Sequence, residues 1–251
     1  MPQFSDDLFL GTAQTYMGIN SNSNLGDPSP MDLGVGPLGR IYVWDVVPAT
    51  TVTNCIATAQ TTSSTITLTA GTSTTSVINA SQQTVVQLDT PRAIGVTIGT
   101  GTITNRNVTI TGYDYYGQAM SEVIATGTVQ STTVFGKKAF FQILSATISG
   151  ALGGTIALGT SEVFGCPVKI ADIGYIASIG WAGAVNDSAT VVAAVTTTAS
   201  TTTGDVRGTI DPSSNADGTK RLVVGVLLPA LAVGPNATRS GALGVNQNLA
   251  S

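Results

Sequence analysis

Proton-transfer chemistry near neutral pH usually starts from a histidine, and this chain has none. Histidine is the side chain whose ordinary pKa lies closest to neutrality, so a Ser-His-Asp or Cys-His arrangement is excluded. The other candidates are thinly spread. Cys55 and Cys166 stand far apart without metal-like spacing and read as two buried thiols, with a disulfide as the alternative. Only two glutamates occur, Glu122 and Glu162, so a glycosidase-type carboxylate pair would have to draw on aspartates. Asp45, Asp89, Asp114, Asp172, Asp187 and Asp205 stand singly beside turns or strand ends, where hydrogen-bonding a turn is their ordinary duty.

The segment Asp211-Pro212-Ser213-Ser214-Asn215-Ala216-Asp217-Gly218 places oxygens at alternate positions, as calcium loops do. Its glycine is eighth rather than sixth, and Leu222 stands where a bidentate glutamate belongs, so it reads as a plain turn with calcium left open. No catalytic, cofactor-binding or metal-ligating residue is assigned. The expectation is a scaffold without enzymatic activity or cofactor.

Stepping from residues to the elements that carry them, charged residues make up 10% of the chain, against about 25% in an ordinary globular domain. Exposed faces must therefore be covered by Thr, Ser, Asn, Gln and Gly, and a surface so poor in charge tends to associate. With 42% hydrophobic residues and a mean hydropathy of +0.30 the chain is not of disordered composition. Ten Lys and Arg against 14 Asp and Glu give a net charge of −4, with no basic run to follow a phosphate backbone. Nucleic acid is not an expected partner. The segment Leu222 to Gly234 is interrupted by Gly225 and Pro229 and is too short for a membrane helix, so a buried strand is expected and no membrane partner. Acidic Asp6 and Asp7 stand where a secretory leader would be basic, and synthesis and assembly in the cytosol are expected.

Residues 1–40 lack apolar periodicity and read as an irregular, extended N-terminal arm whose anchors are Phe4, Leu8, Phe9 and Tyr16. From Ile41 onward, 41–251 reads as one β-rich domain, with 150–170 as the place where two sub-domains would divide. Strands are expected at Ile41 to Val47, Thr61 to Thr69, Thr84 to Leu88, Ala93 to Ile98, Ala139 to Ser149, Thr155 to Leu158, Gly174 to Ile179, Ala189 to Thr197, Val206 to Ile210 and Lys220 to Leu228. Around Ser73 to Gln83 the pattern weakens and one helical turn is allowed for. Asn107 to Ile124 reads as a hairpin, two β-branched runs about a turn in which Gly117 takes a positive φ. The fold class is all-β, a β-sandwich or jelly-roll-like domain behind the arm. Tyr113, Tyr115 and Tyr116 cluster at the hairpin tip and form the preferred contact patch.

Two stretches carry a resemblance. Asn107-Val108-Thr109-Ile110-Thr111-Gly112-Tyr113-Asp114-Tyr115-Tyr116-Gly117-Gln118 with Ser121-Glu122 resembles hairpins common in structural proteins of tailed bacteriophages. Thr201 to Thr209 with Asp217-Gly218-Thr219-Lys220-Arg221 is similar to the C-terminal part of phage head decoration, or cement, proteins. The resemblance implies a virion protein on the capsid surface that bridges neighbouring subunits. Its partners would be the major capsid protein and copies of itself, as a homo-oligomer such as a trimer. The alternative is a tail, fibre or receptor-binding component whose Tyr and Trp side chains contact host glycans. A metal-dependent polysaccharide-degrading enzyme is disfavoured by the missing histidine, and a major capsid shell protein by the missing long helix.

Overall fold

The computed structural model describes residues 3–9, 40–195 and 204–228, and the architecture there is all-β and antiparallel. The N-terminal strand β1 (Gln3–Phe9) is followed by β2 (Arg40–Val46), β3 (Ala57–Gln60), β4 (Thr65–Ile66) and β5 (Thr74–Ile78). Next come β6 (Thr84–Gly101), β7 (Asn107–Tyr113), β8 (Ala119–Ala125), β9 (Thr132–Phe135), β10 (Phe140–Ile148) and β11 (Gly154–Gly165). A 3-10 turn at Ile173–Tyr175 leads into β12 (Ile176–Trp181), then β13 (Thr190–Val192), β14 (Thr209–Asp211) and β15 (Leu222–Leu228). No helix among the described residues is long and apolar enough to cross a membrane.

The larger sheet turns on β6, which at 18 residues is long enough to serve two layers. Before Pro91 it pairs with β5 and β10, and after Pro91 with β11 and β9. Proline has no N–H for a ladder and is confined to irregular strand positions. Registers with both β10 and β11 slip beside Arg92, where the strand changes layer. Strands β4, β10, β7 and β8 lie to one side of the resulting core and β3, β11 and β9 to the other, a sandwich-like arrangement. Between them pack Ile66, Ile94, Val96, Ile98, Val108, Ile110, Phe140, Ile143, Ile156 and Leu158, all essentially inaccessible to solvent.

The β7–β8 hairpin shows how period-two sequence becomes structure. Val108, Ile110, Met120 and Ile124 turn inward, while Ala119, Ser121, Val123 and Ala125 turn outward. Gly117 takes φ 75° in the connecting turn. At Gly112, where β7 and β10 shift register, a Cβ would lie 2.0 Å from the Gln142 carbonyl oxygen, so only glycine fits.

A smaller four-stranded sheet has the order β1-β2-β15-β12. Its centre joins two distant parts of the chain: β2 and β15 pair from Arg40 with Leu228 through Val46 with Leu222. The second core combines Tyr42 and Trp44 of β2, Leu222, Val224 and Val226 of β15 and Trp181 of β12 with Phe164, Cys166, Val168 and Ile210. The two cores hand over within β11, between Leu158 and Phe164.

Several expectations need revision. Thr61 to Thr69 does not run as one strand; only Thr65–Ile66 pairs, and the Gln60 carboxamide bonds both the N–H and the C=O of Thr67 at 2.9 Å, standing in for a partner strand. Ser73 to Gln83 contains no helical turn but strand β5, returning through a turn held by the Asn79 side chain. The two strands expected at Thr84 to Leu88 and Ala93 to Ile98 are the one bent strand β6, and β9 had no expectation at all. Both cysteines are buried and free. The first residues of the arm, Gln3–Phe9, run antiparallel to β2. Residues 10–39, Tyr16 among them, lie outside the described residues.

Candidate functional site

Buried charge gathers where the two cores meet. The turn closing the β7–β8 hairpin is organised by Asp114, whose Oδ1 accepts the N–H groups of Tyr116 at 2.9 Å and Gln118 at 2.8 Å. Its Oδ2 accepts from Arg207 Nη1 at 2.8 Å, and both side chains are almost wholly buried. The Arg207 guanidinium also lies 4.6 Å from the centre of the Tyr116 ring. Asp205, two residues earlier, accepts the N–H groups of Arg207 at 2.9 Å and Ala139 at 3.0 Å, yet burial still pushes its carboxyl up.

Glu122 projects inward from β8 and accepts the N–H groups of Lys137 at 2.6 Å and Lys138 at 3.3 Å. Burial raises its pKa to about 7, and burial lowers that of Lys138. Arg92 is fully buried, donates through Nη2 to Asp89 Oδ2 at 2.5 Å and to the Ala49 carbonyl at 3.0 Å, and stacks 4.9 Å from the Phe164 ring. Its Nε and Nη1 have no hydrogen-bond partner. Burial pushes both the Cys55 and Cys166 thiols up, the opposite of what a thiolate nucleophile needs. The ionisable groups here hydrogen-bond the turns and loops around them.

Beside this seam opens a cleft of about 170 Å³. Strand β2 lends it Tyr42, Trp44 and Asp45, β6 lends Asp89, and the hairpin tip closes it with Tyr115. Tyr115 is held edge-on by Tyr116 and Phe141, each with ring centres 5.3 Å away. Both carboxylates are tethered. Asp45 accepts Arg221 Nε at 2.7 Å and a second bond from Nη2, which holds its carboxyl below the usual range. Asp89 takes Arg92 and the Ala49 N–H, the latter at 2.7 Å.

The expected contact residues separate. Tyr115 and Tyr116 are 40% exposed and sit together, but the Tyr116 hydroxyl donates to the Pro167 carbonyl at 2.5 Å and Tyr113 donates to Gln83 Oε1 at 2.6 Å. Phe4, Leu8 and Phe9 fall on β1, far from the tyrosines in sequence. The Asp211–Gly218 segment is a turn: Asp217 Oδ1 accepts from Thr219 and Lys220, and Lys220 Nζ donates to Ser214 Oγ and the Asn215 carbonyl. Among the described residues no three of Cys, Asp and Glu converge on a metal position. Asp45 and Asp89 were read as turn residues, and nothing local in sequence marks them otherwise, since the partner of Asp45 lies 176 residues away.

Compared with protein-family models, curated proteins and solved structures, the chain matches none.

Proposed function

We propose that this chain is a structural virion protein that binds the outer surface of a tailed-phage capsid lattice and stabilises it by bridging neighbouring subunits. The observation that carries the reading is the meeting of the two stretches on which the resemblance rests. They are 93 residues apart at Asp114 and Arg207, and those two side chains form a buried ion pair. The stretches thus pack as one physical unit, which supports reading them together. The described charges at the seam are spent internally, which supports a mechanical role over a catalytic one.

The outward face of β8 supports the same reading. Ala119, Ser121, Val123 and Ala125 are all neutral, and β8 ends the larger sheet among the described residues with an unbroken register to β7. The edge of β8 has no lysine, proline or bulge, and its one charged residue, Glu122, turns inward to the Lys137 and Lys138 N–H groups, so its outer backbone groups are offered for pairing with another chain. Contacts of this kind depend little on ionic strength, because few charges take part, and repetition across a lattice multiplies weak individual contacts. The partners are the major capsid protein and further copies of this chain.

Cosedimentation of the full chain with emptied phage capsids, followed by imaging of the particles, tests the proposal. Added density on the outer surface, retained from low to high salt, is the expected result, and deletion of residues 1–40 should leave a folded domain that no longer holds to the particles. Absence of binding by the full chain overturns the proposal, and full retention of the truncated chain overturns the role given to the arm.

A further inference from the structure

We infer that the cleft between the two sheets is a binding site for one ring of a neutral saccharide. The argument starts from charge. Asp45 and Asp89 both line the cleft, and a pair of carboxylates among aromatic rings would ordinarily attract a cation. Here each negative charge is already matched, Asp45 by Arg221 and Asp89 by Arg92, so a cationic ligand gains no net field. What remains is two oriented carboxylates whose unused lone pairs accept hydrogen bonds. Hydroxyl groups supply such donors without bringing charge.

The walls agree with this. Tyr115 offers apolar aromatic surface beside the carboxylates and the largely buried Trp44 adds an edge from β2, the combination that suits a ring apolar on its faces and polar around its rim. Tyr115 is the exposed member, and its contacts with Tyr116 and Phe141 fix its orientation before any ligand arrives. At about 170 Å³ the cleft is smaller than the roughly 300–1,000 Å³ of pockets for drug-sized ligands, which suits one ring, and affinity for a single ring should be in the roughly millimolar range.

Trp44 lines the cleft and gives a fluorescence signal there, and a Trp181→Phe background removes the signal of the chain's other tryptophan, which shares the smaller core with it. The test is a glycan array of neutral saccharides probed with the full chain, followed by tryptophan-fluorescence titration with the best binder and, in parallel, with ethylguanidinium as a cationic probe. The expected result is a saturable change in emission with the saccharide, at least a ten-fold loss of affinity in Tyr115→Ala and in Asp45→Asn, and no response to ethylguanidinium. Both substitutions are at exposed positions, and an unchanged melting temperature certifies that the variants fold. The inference is overturned if no neutral saccharide binds, if ethylguanidinium binds in its place, or if both variants bind as the parent does. No capsid is present in the assay, so failure here leaves the lattice proposal to its own cosedimentation test, whereas binding also supports the receptor-binding alternative.

Discussion

The larger core and the seam beside it solve the burial problem in opposite ways. Between the layers of the larger sheet the buried side chains are almost all aliphatic, with Phe140 as the one aromatic ring of that cluster. At the seam, Arg92, Asp114, Glu122, Lys138, Asp205 and Arg207 are all buried, Arg207 over the Tyr116 ring and Arg92 over that of Phe164. Apolar packing is non-directional, and a core of Ile, Val and Leu tolerates small adjustments as long as volume is kept. A buried charge tolerates few, because each bond it loses leaves an uncompensated group in a low-dielectric interior. The larger core therefore supplies most of the folding free energy, and the seam dictates where the hairpin, the Gly136–Lys138 turn and the 205–207 segment sit relative to one another.

The largest effects should come from breaking each region in its own way. Asp114→Ala leaves the Arg207 guanidinium buried without its carboxylate and should cost about 3–5 kcal/mol in urea denaturation. Ile143→Ala, in the larger core, should cost a comparable amount, about 2–5 kcal/mol. The regions separate on rescue. Replacing both members of the pair, Asp114→Leu with Arg207→Met, should recover most of the loss, since apolar groups of similar volume can replace a buried pair at little cost. If the double variant is as unstable as Asp114→Ala, the N–H groups of Tyr116 and Gln118 are what the aspartate serves, and the ion pair is secondary.

Acid titration sharpens the contrast further, because the larger core has nothing to titrate in the range that matters. Glu122 has an ordinary value of 4.5 and sits at about 7 when folded, so between those limits the folded chain holds more proton than the unfolded one. Stability must then fall as pH rises through that window. Two and a half pH units at about 1.4 kcal/mol each bound the loss at roughly 3.5 kcal/mol. Asp205, also raised by burial, acts with the same sign from its ordinary value of 3.8 upward, while Lys138, lowered from 10.5 by burial, acts with the opposite sign below that value. Glu122→Gln should flatten most of the slope between pH 4.5 and 7 in denaturation curves. An unchanged slope would assign it to Asp205.

The same contrast explains what the sequence made legible. The β7–β8 hairpin was readable because its information is local: Val108, Ile110, Met120 and Ile124 alternate, and Gly117 supplies the turn. The bend that makes β6 one strand instead of two was not, because a proline such as Pro91 normally ends a strand and is kept here by pairing with β10 and β11 from later in the chain. Strand β4 is short for a similarly hidden reason, a side chain, Gln60, doing the work of a backbone. At the cleft, composition pointed to Tyr115 and Tyr116 as exposed aromatics, but Asp45 and Asp89 acquire their setting only through Arg221 and Arg92. Long-range pairing of single charges leaves no periodic trace, so the seam is the part of this molecule that no pattern in the chain announces.

The smallest predicted effect decides what holds the hairpin against the body. Two tethers reach it across the seam: the Asp114–Arg207 ion pair, and the Tyr116 hydroxyl donating to the Pro167 carbonyl at 2.5 Å. Tyr116→Phe removes only the second, because the ring stays in place over the Arg207 guanidinium and beside Tyr115. The loss should be about 1 kcal/mol, the net worth of one neutral hydrogen bond, since water can replace the donor at a ring that is 40% exposed. If Tyr116→Phe instead costs as much as Asp114→Ala, the hydroxyl is the principal tether and the buried charges merely accompany it. The ratio of these two losses, measured under one set of denaturation conditions, therefore tests whether charge or a single neutral bond fixes the wall of the cleft that Tyr115 forms.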